Sequence, residues 1–113
     1  MSAQSIALLT LTIAATGTIA ANRFVTPAGA HADANAIGAT RVAAVSGDKI
    51  PVDALGTTVV EAGAAVAAGA TIKSDASGRG ITWVTSGARL GIALEAASGA
   101  GALIEVMLLP NAA

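Results

Sequence analysis

The sequence predicts an all-β fold, a small barrel or sandwich of short antiparallel strands with an extended N-terminal arm. Short apolar, often β-branched runs recur along the chain, and turn signals separate them roughly every 8 to 12 residues. The longest alanine-rich stretch, residues 61–72, contains Gly63 and Gly69. Each glycine costs a helix about 1 kcal/mol relative to alanine, so two turns around a short strand with Val66 pointing inward are expected there.

The composition indicates one domain with few charges on its surface. The chain has 113 residues, no cysteine and a formal net charge of −1. Charged residues make up 12% of the chain, against about 25% in ordinary soluble domains. We therefore expect neither disulfides nor a basic surface for nucleic acid. A surface so poor in charge is typical of one that other protein covers.

The N-terminal segment is uncharged from Ser2 to Asn22. Its centre, Leu9 to Ile13, alternates with the period of a strand, so residues 1–22 are predicted to form an arm or first strand before a β-rich domain at residues 23–113. A cleaved signal peptide is an alternative, with Thr18 and Ala20 as small residues near the cleavage point, although a basic start is lacking. A membrane anchor fits less well, because threonines and Gly17 interrupt the apolar run.

Later strands are placed by their turn signals. A polar turn is predicted from Lys73 to Gly80, with Asp75 forming an Asx-turn. In the strand after it, Ile81 and Trp83 share a face. The predicted strands before the turn are Arg23–Thr26, the run containing Ile50, Val52 and Leu55 that ends at Gly56, and Thr57–Val60.

The segment Gly91–Leu109 reads as a hairpin with a glycine-rich centre, and an earlier stretch resembles it. Residues 37–44 and 90–97 both begin with an apolar residue and glycine and both end in Ala-Ala, and Ser-Gly and Ile-x-Val follow each. Two hairpins of one design give this pattern. We place Leu94, Ile104 and Val106 on the core side of the second hairpin. Glu95 and Glu105 are expected to face outward, offset from one another or each near an arginine.

No constellation of catalytic residues stands out in the sequence. The one histidine, His31, has Asp33 nearby, but one imidazole and one carboxylate fall short of a metal or acid–base site. A hydrolase or lyase using His31 is a minor hypothesis, and an exposed loop histidine is preferred. No cofactor and no metal ligands are predicted, so the chain is expected not to be an enzyme.

Seven residues are candidates for contacts with a partner protein. The alternating apolar residues of the arm are suited to pairing with a neighbour's sheet edge. The aromatic residues and two arginines are residue types that anchor interfaces. The candidates are Leu9, Leu11, Ile13, Arg23, Phe24, Trp83 and Arg89.

Three stretches carry a resemblance to a known family. They are residues 60–69, the Lys73–Arg79 turn, and residues 90–97 with the closing Ile104 to Leu108. In order and spacing they resemble the small capsid cement, or head decoration, proteins of tailed bacteriophages. Arg23-Phe24-Val25 and the segment at Gly38 also fit that family, so the resemblance covers roughly residues 20 to 109.

The resemblance implies a β-rich structural protein of the virion. Made in the host cytoplasm, such a protein binds the outer surface of the capsid and stabilises the lattice of the major capsid protein. It implies a homo-oligomer, with a trimer favoured, and no nucleic acid or membrane partner. The alternative is a secreted bacterial surface or adhesion module with a cleaved N-terminal signal.

Overall fold

The computed structural model describes residues 6–31, 36–84 and 88–112, with side chains described as far as residue 108. Every regular element in this part of the chain is a β-strand. The strands are β1 Ile6–Ala14, β2 Arg23–Val25, β3 Gly38–Thr40, β4 Lys49–Glu61, β5 Thr71–Ser74, β6 Gly80–Thr82, β7 Arg89–Ala93 and β8 Leu103–Ala112.

The eight strands form one antiparallel sheet that is nearly closed into a barrel. Its order is β2-β3-β4-β8-β7-β5-β6, and β1 pairs with β4. The predicted fold class is therefore confirmed. The sequence also indicated the strand in the N-terminal segment, the hairpin of β7 and β8, and the inward position of Val66, which is buried and bridged to Ala97.

Strand β4 differs from the prediction because Gly56 does not end it. The strand runs through this glycine for 13 residues, and Gly56 takes a φ of +99° in its middle. The β1 ladder shifts register nearby, between Ala7 and Thr10. A positive φ and a register shift are features of a β-bulge, which bends a strand without breaking its pairing. Lys73 and Ser74, expected in a turn, likewise belong to β5.

The two halves of the chain repeat one arrangement of strands. The first half comprises β1, β2, β3 and the beginning of β4, and the second comprises the end of β4 and β5 to β8. Ile13 pairs with Ile50 in the β1–β4 ladder, and Val60 pairs with Ile104 in the β4–β8 ladder. Strand β4 is therefore the last strand of the first half and the first strand of the second.

Features outside the ladders repeat as well. The bridge between Ile19 and Ala44 in the first half corresponds to the bridge between Val66 and Ala97 in the second. The two alanines close the similar stretches at residues 37–44 and 90–97, so that sequence similarity reflects a structural repeat. Glycines with positive φ occupy matching turns in the pairs Gly29 and Gly78, and Gly47 and Gly101.

Each half has its own apolar core, and the residues of the two cores correspond. The first-half core consists of Ala15, Ile19, Val25, Ala44, Ile50 and Val52, with Ile13 packed against it. The corresponding second-half residues are Ala62, Val66, Ile72, Ala97, Ile104, Val106 and Val60, which belong to a larger cluster. Phe24, Ala36 and Ala39 of the first half also pack into that cluster, as do four further residues of the second half, namely Ala88, Leu90, Ala93 and Leu108.

A buried carboxylate lies where β1, β3 and β4 meet. The side chain of Asp53 is 1% exposed and accepts hydrogen bonds from the hydroxyls of Thr10, at 3.0 Å, and Thr58, at 3.1 Å. The guanidinium of Arg41 forms an ion pair with it at 2.9 Å. A charge so deeply buried is tolerated because each of these groups donates to it.

The β7–β8 hairpin corrects two of the expectations for its side chains. Ile104 and Val106 lie in the core, but Leu94 is only half-buried and stays outside it. Glu105 is 1% exposed rather than outward-facing in solvent, and its Oε1 has no hydrogen-bond partner. Its backbone N–H donates to the carboxylate of Glu95 at 2.9 Å, so the two acids are neighbours and neither forms an ion pair among the described residues.

Replacing Gly56 by alanine tests the close approach of β1 to β4. A Cβ at Gly56 would overlap the carbonyl oxygen of Ile6, whereas a Cβ at Gly47 meets nothing within 4 Å. Both glycines have similar positive φ, +99° and +95°, so backbone strain is matched. We expect Gly56→Ala to lower the free energy of unfolding by about 1–3 kcal/mol more than Gly47→Ala, as measured by urea denaturation. Equal losses would contradict this packing.

Replacing Glu105 by methionine tests the cost of its buried carboxylate. Methionine has a similar volume and removes a buried polar group whose Oε1 has no partner. We expect the free energy of unfolding at neutral pH to rise by about 1 kcal/mol. Glu95→Met is the control and is expected to destabilise the protein, because it removes the acceptor for the Glu105 N–H. A loss of stability in Glu105→Met would contradict this account.

Candidate interaction surface

His31 lies at the edge of the first half, where its imidazole supports the backbone. Its Nε2 accepts a hydrogen bond from the N–H of Ala20 at 3.1 Å, which requires the neutral ring. Partial burial lowers the pKa of His31 below its ordinary value of 6.5, the positive charge of Arg23 lowers it further, and Asp75 partly opposes both. Asp33, its predicted partner, lies outside the described residues. Within the described ranges no three His, Cys, Asp or Glu side chains gather at a possible metal site.

Arg23, a predicted interface residue, joins the two halves of this molecule. Its guanidinium lies 3.3 Å from the carboxylate of Glu61 and donates to the carbonyl of Ser77 at 2.9 Å. Arg79 lies 3.7 Å from the same carboxylate and 3.4 Å from that of Asp75. Asp75 also accepts from the N–H groups of Ser77 and Arg79, as expected of an Asx-turn. Arg23 is thus already engaged within the chain.

Phe24, another predicted interface residue, is completely buried. It belongs to the second-half core, and its backbone N–H donates to the carbonyl of Gly78 at 2.7 Å. A Cβ on Gly80 would lie 3.7 Å from its ring. The ring therefore closes the second-half core, and none of it is exposed on the surface of the molecule.

Strand β1 presents an apolar and uncharged surface. Leu9 is exposed, while Leu11 and Ile13 are half-buried, with Ile13 packed against the first-half core. Among the described strands β1 pairs with β4 alone, so its second edge faces no strand of this part of the chain. Free edges usually carry lysine, proline or another charge that discourages pairing. β1 contains none of these.

Trp83 and Arg89 lie together: Trp83 directly follows β6, and Arg89 is the first residue of β7. The guanidinium carbon of Arg89 is 4.2 Å from the centroid of the indole, a cation–π geometry. Arg89 is exposed and Trp83 is half-buried. The structure therefore brings these two predicted interface residues into one patch, apart from the candidates on β1.

The sequence prediction missed several exposed apolar residues. Leu8 is 79% exposed and sits at the register shift of β1, so strand alternation alone assigns it to the wrong environment. Leu55 lies on β4, and Leu103 and Met107 lie on β8. The missed residues are Ile6, Leu8, Ile37, Val42, Val45, Leu55, Val84, Leu103 and Met107.

The fold and surface described above are those of a small structural β-protein, and the comparisons place it in a family. The model of the phage cement protein family matches residues 3–108. The chain belongs to this family, and the predicted resemblance is confirmed. A search of curated proteins found no match. No helix in the described part of the chain has the length and apolarity to cross a membrane.

A solved structure shares the fold. The N base of the head fiber protein gp8.5 of bacteriophage phi29 matches with a TM-score of 0.74 and 19% sequence identity. The match covers 93% of this chain and 98% of that one. At this identity the likeness concerns the fold alone. Membership of the phage cement family identifies the chain as a structural protein of a phage capsid.

Protonation of His31 is expected to weaken the fold. Because the folded state lowers the pKa of His31 below 6.5, the unfolded chain binds the proton more readily, and stability falls as pH drops through 6.5 and below. His31→Gln keeps an acceptor for the Ala20 N–H but does not titrate. We expect the free energy of unfolding to fall less in this variant than in the wild type between about pH 7 and pH 5, as measured by urea denaturation. Parallel pH profiles would contradict this role.

Proposed function

We propose that this protein decorates the outer surface of a phage capsid and stabilises the lattice of the major capsid protein, acting as a homo-oligomer, with a trimer favoured, and not as an enzyme. Membership of the phage cement family supports this proposal most directly. The protein is made in the host cytoplasm and acts on the assembled virion. Low charge and an apolar edge strand support the same role.

The β1 edge is the surface proposed to contact the shell. Ile6, Leu8 and Leu9 are exposed at its beginning, and Leu55 of β4 is exposed opposite Leu9. An extended segment of the shell protein can pair with the free edge through backbone hydrogen bonds, while these side chains supply apolar contact. Such pairing covers the part of the molecule that is otherwise most prone to association with the wrong partner.

Lattice stabilisation follows from mass action. A protein that binds the assembled lattice and not its separated subunits stabilises the assembled state in proportion to its occupancy. An oligomer that contacts several subunits at once strengthens this effect, because each later contact forms at high effective concentration. Individually weak contacts along β1 are therefore sufficient for firm attachment.

Co-sedimentation with undecorated capsids of its phage tests the proposed function. The wild-type protein is expected to pellet with capsids and to raise the temperature at which they release DNA. Leu8→Lys places a charge in the centre of the proposed contact and is expected to weaken binding by at least about tenfold.

The matched control is Val45→Lys. Val45 is also an exposed apolar residue, but it lies in the β3–β4 connection, and its substitution is expected to leave binding unchanged. Wild-type protein that stays in the supernatant would refute capsid decoration. Equal binding by both variants would refute the role of β1 while leaving decoration intact.

A further inference from the structure

The two halves of the molecule dock through a row of cross-strand neighbours in the first half. Phe24 pairs with Ala39, and Ala39 pairs with Asp53. All three are buried. Phe24 and Ala39 pack into the second-half core, and Asp53 accepts a hydrogen bond from Thr58 of the second half. This first row is the internal docking face of the repeat.

The second half has the equivalent row, formed by Thr71, Ile92 and Met107. Thr71 pairs with Ile92 and Ile92 with Met107, as the repeated ladders require. Trp83 extends the row, since its backbone N–H donates to the carbonyl of Thr71 at 2.8 Å. The guanidinium of Arg89 stacks on the indole ring. Unlike the first row, this second row lies at the surface: Met107 is 39% exposed and the other three row members are half-buried.

At two of its three positions the second row is more apolar than the buried row that it matches. Ile92 stands where the first half has Ala39 and Met107 where it has Asp53, while Thr71 takes the place of Phe24. A solvent-facing sheet surface normally carries polar residues at such positions. The exchange of an aspartate for a methionine, at a position that is more exposed, indicates that protein covers the second row.

The surface that receives the first row is known from the internal contact. Near Gly80, Phe24 lies beside Val60, and it lines a small cleft together with Leu90. Thr58 belongs to the same receiving surface because it donates to Asp53 of the row. The first half carries the equivalent of this receiving surface, and described residues cover it only in part. Ile37 is 36% exposed there, and Leu11 and Ile13 are half-buried. The residues equivalent to Thr58, Val60 and Leu90 are Leu11, Ile13 and Ile37.

We propose that the second row of one copy docks onto the first-half receiving surface of another copy, reproducing between chains the contact that joins the two halves within a chain. Each copy carries one partly exposed row and one partly exposed receiving surface, and both are mainly apolar. The contact is heterologous, so copies associate head to tail, and a suitable rotation closes them into a ring. This inference rests on the self-association included in the proposed function and names its surfaces.

Sedimentation velocity on the purified protein, without capsids, tests the contact. The wild type is expected to associate. Met107→Lys alters the second row and Ile37→Lys alters the receiving surface, and each is expected to weaken association by at least about tenfold. Val45→Lys, on neither surface, is the control and is expected to associate like the wild type. Circular dichroism of each variant checks that it is folded.

Mixing the two variants distinguishes a head-to-tail contact from a symmetric one. Met107→Lys retains an intact receiving surface and Ile37→Lys retains an intact second row, so an equimolar mixture is expected to form dimers and nothing larger. A monomeric wild type, an Ile37→Lys variant that still associates fully, or a mixture without dimers would each overturn the proposal.

The outcome of the capsid co-sedimentation experiment is independent of the outcome of the sedimentation velocity experiment. A wild type that associates but does not pellet with capsids refutes decoration and leaves the head-to-tail contact intact. A wild type that pellets with capsids as a monomer supports decoration and refutes the contact.

Discussion

Strand β4 is the constraint on which the rest of the structure depends, because both halves of the molecule share it. Its beginning pairs with β1 and β3 and its end pairs with β8. The bend at Gly56 allows one continuous strand to serve two cores. Just before the bend, the buried carboxylate of Asp53 ties together hydroxyls from β1 and from the end of β4.

The two halves of the repeat bury different residues. This difference leaves the second row and the first-half receiving surface partly exposed. Phe24 closes the second-half core, while within the described chain nothing equivalent closes the first-half core. The matching row of the second half is left exposed around Ile92 and Met107. A two-unit repeat always leaves one such face at each end unless the end units are altered to be polar. Here both end faces remain apolar.

A low content of charged residues suits a protein whose surface is covered by other protein when it functions. Burying a charged side chain at an interface costs desolvation energy that its new partner only partly returns. Apolar strand edges and small residues avoid that cost, so much of the surface can be buried at once. Several of the described charges are used inside the molecule instead: Arg23, Glu61, Asp75 and Arg79 form the network between the halves. This division agrees with the structural role of the phage cement family.

The sequence by itself determined the strand content, most turns and the similarity of two hairpins. These depend on local chemistry: glycine adopts positive φ, Asp75 closes its own turn, and β-branched runs prefer strands. For the proposed contact between copies, the sequence also supplied Leu11 and Ile13 on the receiving surface and Trp83 on the second row, because alternating apolar residues and aromatic residues are typical of interfaces.

Only the tertiary structure decided which apolar residues are core and which are surface. Phe24 is buried and Met107 is exposed because of how the halves dock, and that contact joins residues far apart in the chain. The passage of β4 through Gly56 and the burial of Glu105 likewise depend on neighbouring strands. Local patterns give the period of a strand, but long-range pairing determines what each of its faces meets.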